Sequence, residues 1–195
     1  MNNLKNIFIL IFFITFLQGC TNTDMKNFSN KTPKLDLFKF FNGESVAYGI
    51  FEDRFGNLRR QFRVNLIGSI KDDKLILDEE FLYDDGEKDT RIWTITKNKV
   101  SENQTKYSGK AKDIEGHAKG TSSGNTLNWS YDIYLKIKGT NLKVHFNDWI
   151  YQQDENIAIN RAYVSKFGIE IGSVTLVFVR GNTAKTIGRL DLEKW

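Results

Sequence analysis

Residues 127–138 read LNWSYDIYLKIK. Leu127, Trp129, Tyr131, Ile133, Leu135 and Ile137 alternate without a break with Asn128, Ser130, Asp132, Tyr134, Lys136 and Lys138. Successive side chains of a β-strand leave opposite faces, so this period of two collects the large apolar groups on one side and the polar ones on the other. A helix would scatter the same residues around its circumference. The stretch therefore predicts a strand of an antiparallel sheet with one oily face and one wet face.

Working outward, a similar period runs through residues 46–54, 58–67, 74–83, 89–97, 106–113, 117–121, 141–152, 156–165 and 169–180. Turn residues separate these segments: Gly56-Asn57, Asp72-Asp73, Asp85-Gly86, Gly124-Asn125, Gly139-Thr140, Asp154-Glu155 and the neighbourhood of Gly168. Short strands, tight turns and no strong helical period mean an all-β sandwich or barrel. Sequential hairpins favour the meander, hence a single antiparallel up-and-down barrel of about 8–10 strands, calycin-like (lipocalin-like), with room inside for side chains or one small ligand. Residues 35–180 would form this domain. The apolar lead-in LDLFKFF at residues 35–41 suits a helical turn that plugs or caps the barrel. Residues 181–195 form a weakly patterned C-terminal tail, either a short helix against the barrel or a loose end.

The first residues read as an address. Lys5 precedes an uncharged apolar run at residues 7–17, the layout of a signal peptide. Eleven residues reach only about 16 Å as helix, about half of what a bilayer crossing needs. Leu17-Gln18-Gly19-Cys20 ends the run with the only cysteine of the chain. It resembles the bacterial lipobox, which implies cleavage before Cys20 and acylation of its sulfur and of the new amine. The alternative is a chance cysteine after an ordinary secretory peptide. A lone thiol has no disulfide partner within an exported chain, and lipidation consumes it. Two or three acyl chains anchor firmly where one exchanges. Thr21-Asn22, without aspartate, resembles lipoproteins sorted to an outer membrane. Residues 1–19 are thus expected to be a cleaved signal peptide. Residues 20–34 are expected to be the lipidated cysteine and a flexible tether, holding a periplasm-facing, lipid-anchored monomer on the outer membrane.

The chain has 28 Lys and Arg against 24 Asp and Glu, a net charge of +4. That balance is too mild to imply nucleic acid. No G-x-S-x-G elbow, P-loop, G-x-G-x-x-G or H-E-x-x-H occurs, so no cofactor is expected. His117 and His145 are not spaced as a metal pair, and no metal site is expected. Asp84-Asp85-Gly86-Glu87 lacks the spaced ligands of a calcium loop and reads as a hairpin turn with a charged rim.

Several longer strings resemble a family of uncharacterised bacterial lipoproteins, the domain of unknown function 3833: GIFEDRFG (49–56), LDEEFLYDDGE (77–87), RIWTI (91–95), YSGKAKDIEGHAKG (107–120), LNWSY (127–131) and NDWIYQQDENIAINRAYVSKFG (147–168). The resemblance spans residues 35–180. It implies a tethered envelope protein and no particular activity.

Charged residues on apolar strand faces mark where chemistry could sit. Asp148 follows Leu142, Val144 and Phe146 on one face, and Arg161 shares one with Ile157, Ile159 and Tyr163. A turn centred on Asp154-Glu155 would place Asp148 opposite Arg161. Arg60 lies with Phe62 and Val64, and Glu79 with Leu77 and Phe81, suggesting a second inward ion pair. Such pairs are either structural or part of a ligand site. Trp93, Trp129, Trp149, Tyr48 and Tyr131 either pack a core or line a cavity. Three functions fit. The leading one is an envelope lipoprotein that binds or carries a small amphipathic or lipid-like ligand in its barrel. The others are a solid-cored structural or interaction module, and a barrel isomerase or cyclase acting on an apolar substrate.

Overall fold

The structure, a computed structural model, describes residues 23–137 and 140–195. Residues 1–19, expected to be a signal peptide, and Cys20, expected to be acylated, lie outside the described residues. Ten strands follow one another: β1 (Gly43–Asp53), β2 (Leu58–Lys71), β3 (Lys74–Tyr83), β4 (Lys88–Ser101), β5 (Gln104–Lys110), β6 (Ile114–Ser123), β7 (Thr126–Ile137), β8 (Thr140–Gln152), β9 (Ile157–Lys166) and β10 (Ile169–Arg180). Each pairs antiparallel with its chain neighbours, and β1 pairs with β10 to close a barrel. This is the expected up-and-down architecture.

The segments 106–113 and 117–121 resolve into β5 and β6. The chain reverses at Ala111–Ile114, where Ile114 N–H donates to the Ala111 carbonyl. The stretch at 127–138 falls in β7 and turns its apolar side inward: Leu127, Trp129 and Ile133 are buried.

One end of the barrel is stoppered. The five-residue helix α1 (Leu37–Phe41) buries Leu37, Phe38, Phe40 and Phe41. A helix this short has no stability of its own, so burial must hold it. Asp36 caps it by accepting from Phe38 N–H, and Lys97 pairs with the same carboxylate at 2.9 Å. Phe41 meets Phe178 edge to face at 5.0 Å. Gly68 makes this seat possible, because a Cβ there would lie 1.7 Å from the Phe41 carbonyl oxygen.

At the opposite end the inward apolar residues Phe51, Tyr83, Leu135, Leu142 and Ile171 are only partly buried, so the barrel opens there.

The flanking segments lie on the outer wall. Within the stretch read as a flexible tether, Met25–Phe28 forms a 3-10 turn. Its Phe28 ring packs 6.1 Å from both Trp149 and Tyr151. Beyond β10, helix α2 (Gly181–Ile187) buries Ala184 against Val46 and Val179. The remaining tail crosses β2, where Leu190 exchanges two hydrogen bonds with the Asn65 side chain at 2.9 and 3.0 Å. No helix among the described residues is long and apolar enough to cross a membrane.

Gly68→Ala is expected to unseat the plug and lower the unfolding free energy by about 1–3 kcal/mol, the usual cost of overpacking. Urea titration checks this, and an unchanged midpoint would show that α1 is not held by that contact.

Candidate functional site

Between α1 and the open end lies a cavity of about 290 Å³. Its walls are mainly apolar and aromatic. Trp93 stands edge to face against Trp129 at 5.7 Å and against Tyr131 at 5.4 Å, and Tyr131 stacks on Phe146 at 5.4 Å. Trp129 lies flat over Gly120, where a Cβ would come within 2.3 Å of its ring. Bare backbone on β6 thus accepts the largest side chain of β7.

Two polar groups break the apolar wall. The first joins Glu79 on β3 to Arg91 on β4, which the register sets directly opposite one another, 3.7 Å apart. Arg91 makes its closer contacts with Asp113 in the β5–β6 turn, through Nε at 2.9 Å and Nη2 at 2.8 Å. The second joins Asp148 on β8 to Asn160 on β9, whose amide donates to Asp148 Oδ1 at 2.6 Å. Both residues are 5% exposed. Asp148 Oδ2 and Asn160 Oδ1 have no hydrogen-bond partner.

Burial dominates the ionisation of both acids. It pushes Glu79 up to about 7, because Arg91, already shared with Asp113, and Trp93 only partly oppose it. It pushes Asp148 up to about 6 against the Asn160 amide and the Tyr131 hydroxyl. Burial also holds the Tyr131 hydroxyl well above the ordinary tyrosine range. For Arg91 burial works against the charge, but Glu79 and Asp113 outweigh it and raise the guanidinium.

Of the residues singled out in the sequence, Glu79, Trp93, Trp129, Tyr131 and Asp148 line the cavity together, and Arg60 reaches its upper wall. Arg60 does not pair with Glu79. Leu66 is the residue opposite Glu79, and Arg60 lies six residues earlier, about 20 Å along the strand. It stacks 3.5 Å over Tyr83 and binds Asp85 and Glu87 at 2.8 and 2.5 Å, so the acidic turn is spent on a cation of the chain itself.

Arg161 lies outside the barrel. Its partners are Thr175 at 2.8 Å and Glu52 at 3.6 Å, and the residue opposite Asp148 is Ala162. The turn is one residue longer than expected: Gln153 N–H donates to the Ile157 carbonyl, and Asp154 accepts from the backbone N–H groups of Asn156 and Ile157. A one-residue slip reverses every side chain. Ile159 and Tyr163 therefore face solvent, and Ala158, Asn160, Ala162 and Val164 face inward. Trp149 and Tyr48 also sit on the outer wall, Trp149 under Phe28 and Tyr48 exposed.

Sequence reasoning passed over Arg91, Asp113 and Asn160. Arg91 carried a usable signal, since it alternates with Trp93 and Ile95. Asn160 did not, because its neighbours on the inner face are mostly alanines.

Outside the cavity, His145 bridges Asp132 at 2.7 Å and Ser130 at 3.1 Å. Lys143 pairs with Glu115 and, at 3.3 Å, with Asp132, and Tyr134 donates to Glu115 at 3.0 Å. These contacts span the place where the β6–β7 register shifts between Glu115 and Lys119, and they stitch the wall there.

The raised acids predict a pH dependence. A carboxyl whose folded pKa exceeds its unfolded value binds its proton more tightly when folded, so its contribution is complete below the unfolded pKa and is lost as pH rises to the folded one. For Glu79 that window runs from 4.5 to about 7, and for Asp148 from 3.8 to about 6. The unfolding free energy should fall by about 2 kcal/mol or more between about pH 5 and pH 8. Glu79→Gln with Asp148→Asn should flatten that fall in urea titrations, and an unaltered slope would remove these two groups from the account.

Comparison with known proteins places the fold. The S-type phycobiliprotein lyase CPES from Guillardia theta superposes with a TM-score of 0.54 at 10% identity, covering 74% of this chain and 90% of its own. At that identity the likeness establishes the lipocalin-like barrel alone. No curated protein matches the sequence significantly. The family model described as "Protein of unknown function (DUF3833)" matches residues 14–180, and the chain belongs to that family.

Proposed function

We propose that this protein is an envelope lipoprotein that binds or carries a small amphipathic, lipid-like molecule inside its barrel. The observation that carries this reading is the hollow interior: an aromatic-walled space of about 290 Å³ with a buried carboxyl oxygen that has no partner. Small-molecule sites combine mostly apolar walls with a few convergent polar groups. A barrel serving only as a scaffold would gain by filling the same space, since each unfilled volume forfeits packing. The hollow core thus weighs against a purely structural module.

The rim supports a lipid-like ligand. Phe55 and Phe167, at the tips of the β1–β2 and β9–β10 hairpins, are 75% and 92% exposed. Arg54 lies 4.7 Å from the Phe55 ring and Lys166 lies 5.3 Å from that of Phe167. Apolar rings beside cations suit the boundary of a lipid surface. In this proposal acyl chains on Cys20 hold the barrel at the outer membrane, facing the periplasm. The support for that address is the Leu17-Gln18-Gly19-Cys20 string.

A second reading rests on the raised Glu79 and Asp148. Carboxyls poised near neutrality can act as general acid and base on an apolar substrate, as an isomerase or cyclase of this fold would require. It predicts turnover that Asp148→Asn abolishes while binding persists.

Native mass spectrometry of the protein purified from its own envelope should show a co-purifying small amphiphile. Unoccupied protein with no affinity for added amphiphiles would refute the carrier reading. Cys20→Ala should shift the protein from the membrane fraction to the soluble periplasmic fraction and abolish labelling by radioactive palmitate. A variant that stays labelled and membrane-bound would dismiss the anchor.

A further inference from the structure

We propose that the cavity selects amphiphiles with a cationic, hydrogen-bond-donating head, such as a long-chain primary amine, and that Asp148 and Asn160 are the groups that read it. This inference rests on the reading that the barrel holds an amphiphile, and it names the class.

The geometry begins with two acceptors. Asp148 Oδ2 and Asn160 Oδ1 are buried, line the cavity and lack partners. They flank a single hydrogen bond, Asn160 Nδ2 to Asp148 Oδ1 at 2.6 Å, which fixes the orientation of the amide towards the carboxylate. Reversing the amide would set two acceptors face to face at that distance. Both free oxygens can therefore accept but not donate while Asp148 is ionised. Ala162, opposite Asp148 in the ladder, is too small to reach the carboxylate. An ammonium group offers three donors and one positive charge, which satisfies both oxygens and neutralises the acid.

The charge balance points the same way. Arg91 is held between Asp113 and Glu79, and Arg60 between Asp85 and Glu87. These are the arginines that line the cavity, and each is already matched by two carboxyl groups. Arg60 Nε is a buried donor without a hydrogen-bond partner, but the charge of its guanidinium is matched twice over, so neither arginine offers an unmatched charge to a carboxylate head. Asp148, by contrast, has no salt-bridge partner among the described residues, only the neutral Asn160 amide and Tyr131 hydroxyl, and its Oδ2 stays without a hydrogen-bond partner. The site thus carries a surplus of negative charge although the whole chain is net positive at +4. Non-specific attraction to the protein would favour an anionic amphiphile, so a preference for the amine must arise inside the barrel.

The test is a competition read by native mass spectrometry on the full chain. Decylamine, decan-1-ol and decanoate, which share a ten-carbon tail, are supplied at equal concentration. The amine complex should exceed the decanoate complex by about 10- to 100-fold, the value of a buried charge-assisted hydrogen bond. Asp148→Asn keeps the shape and should bring that ratio close to one, and Asn160→Leu should lower it by a smaller factor. The amide variant also serves if the leucine variant misfolds. Equal binding of all three, or preference for decanoate, overturns head-group selection and leaves the carrier reading intact. An amine preference unchanged in both variants overturns the assignment to Asp148 and Asn160. If none of the three binds, the carrier reading fails with it.

Discussion

The β1–β10 ladder is the constraint on which everything else depends. It pairs Ser45 with Arg180 at one end and Asp53 with Gly172 at the other, and so turns an open meander into a ring. Once the ring is closed, each strand has one face inside and one outside, and no edge is left to pair with another chain. Closure also sets the internal volume before any side chain is chosen. The residues pointing inward must then fill that volume, stopper it or leave it empty. This molecule does all three along its axis: α1 fills one end, aromatic rings line the middle, and the far end stays open.

The middle of that axis is where stability and function pull apart. Glu79 and Asp148 sit among tryptophans, and burial raises both acids. An apolar pair of similar size would cost the fold less, because desolvating a carboxylate is expensive without a full set of partners. Arg91 is a partial remedy for Glu79, since Asp113 holds it more closely. Asp148 has only neutral groups, the Asn160 amide and the Tyr131 hydroxyl. A fold that tolerates such a group with one oxygen unpaired is spending stability where a ligand could restore it.

How much of this was legible follows from two neighbouring hairpins. In β7, six apolar residues in strict alternation leave only one way to face the strand, so Trp129 and Tyr131 could be placed inside from the sequence. In β9, Ile157, Ile159 and Tyr163 form the more apolar face, yet they lie outside, and the alanines lie within. The reason is local. The Asp154 side chain captures two backbone N–H groups and lengthens the turn by one residue. Residues 35–41 were legible for the opposite reason, since a cluster of leucine and phenylalanine beside a barrel has few places to go but into one of its ends.

The sequence by itself determined the class of fold, because period two and regular turns are properties of the chain that any antiparallel sheet must respect. It also determined the family, and it carries the lipobox-like string before Cys20 on which the proposed anchor rests. Tertiary structure alone decided the site. Glu79 meets Arg91, Arg91 meets Asp113, and Asp148 meets Asn160 rather than Arg161, through registers that depend on turn length. A shift of one residue leaves composition and period untouched but exchanges inside for outside. For that reason the pattern of this chain shows a barrel, and only the folded barrel shows which of its acids keeps a buried oxygen without a partner.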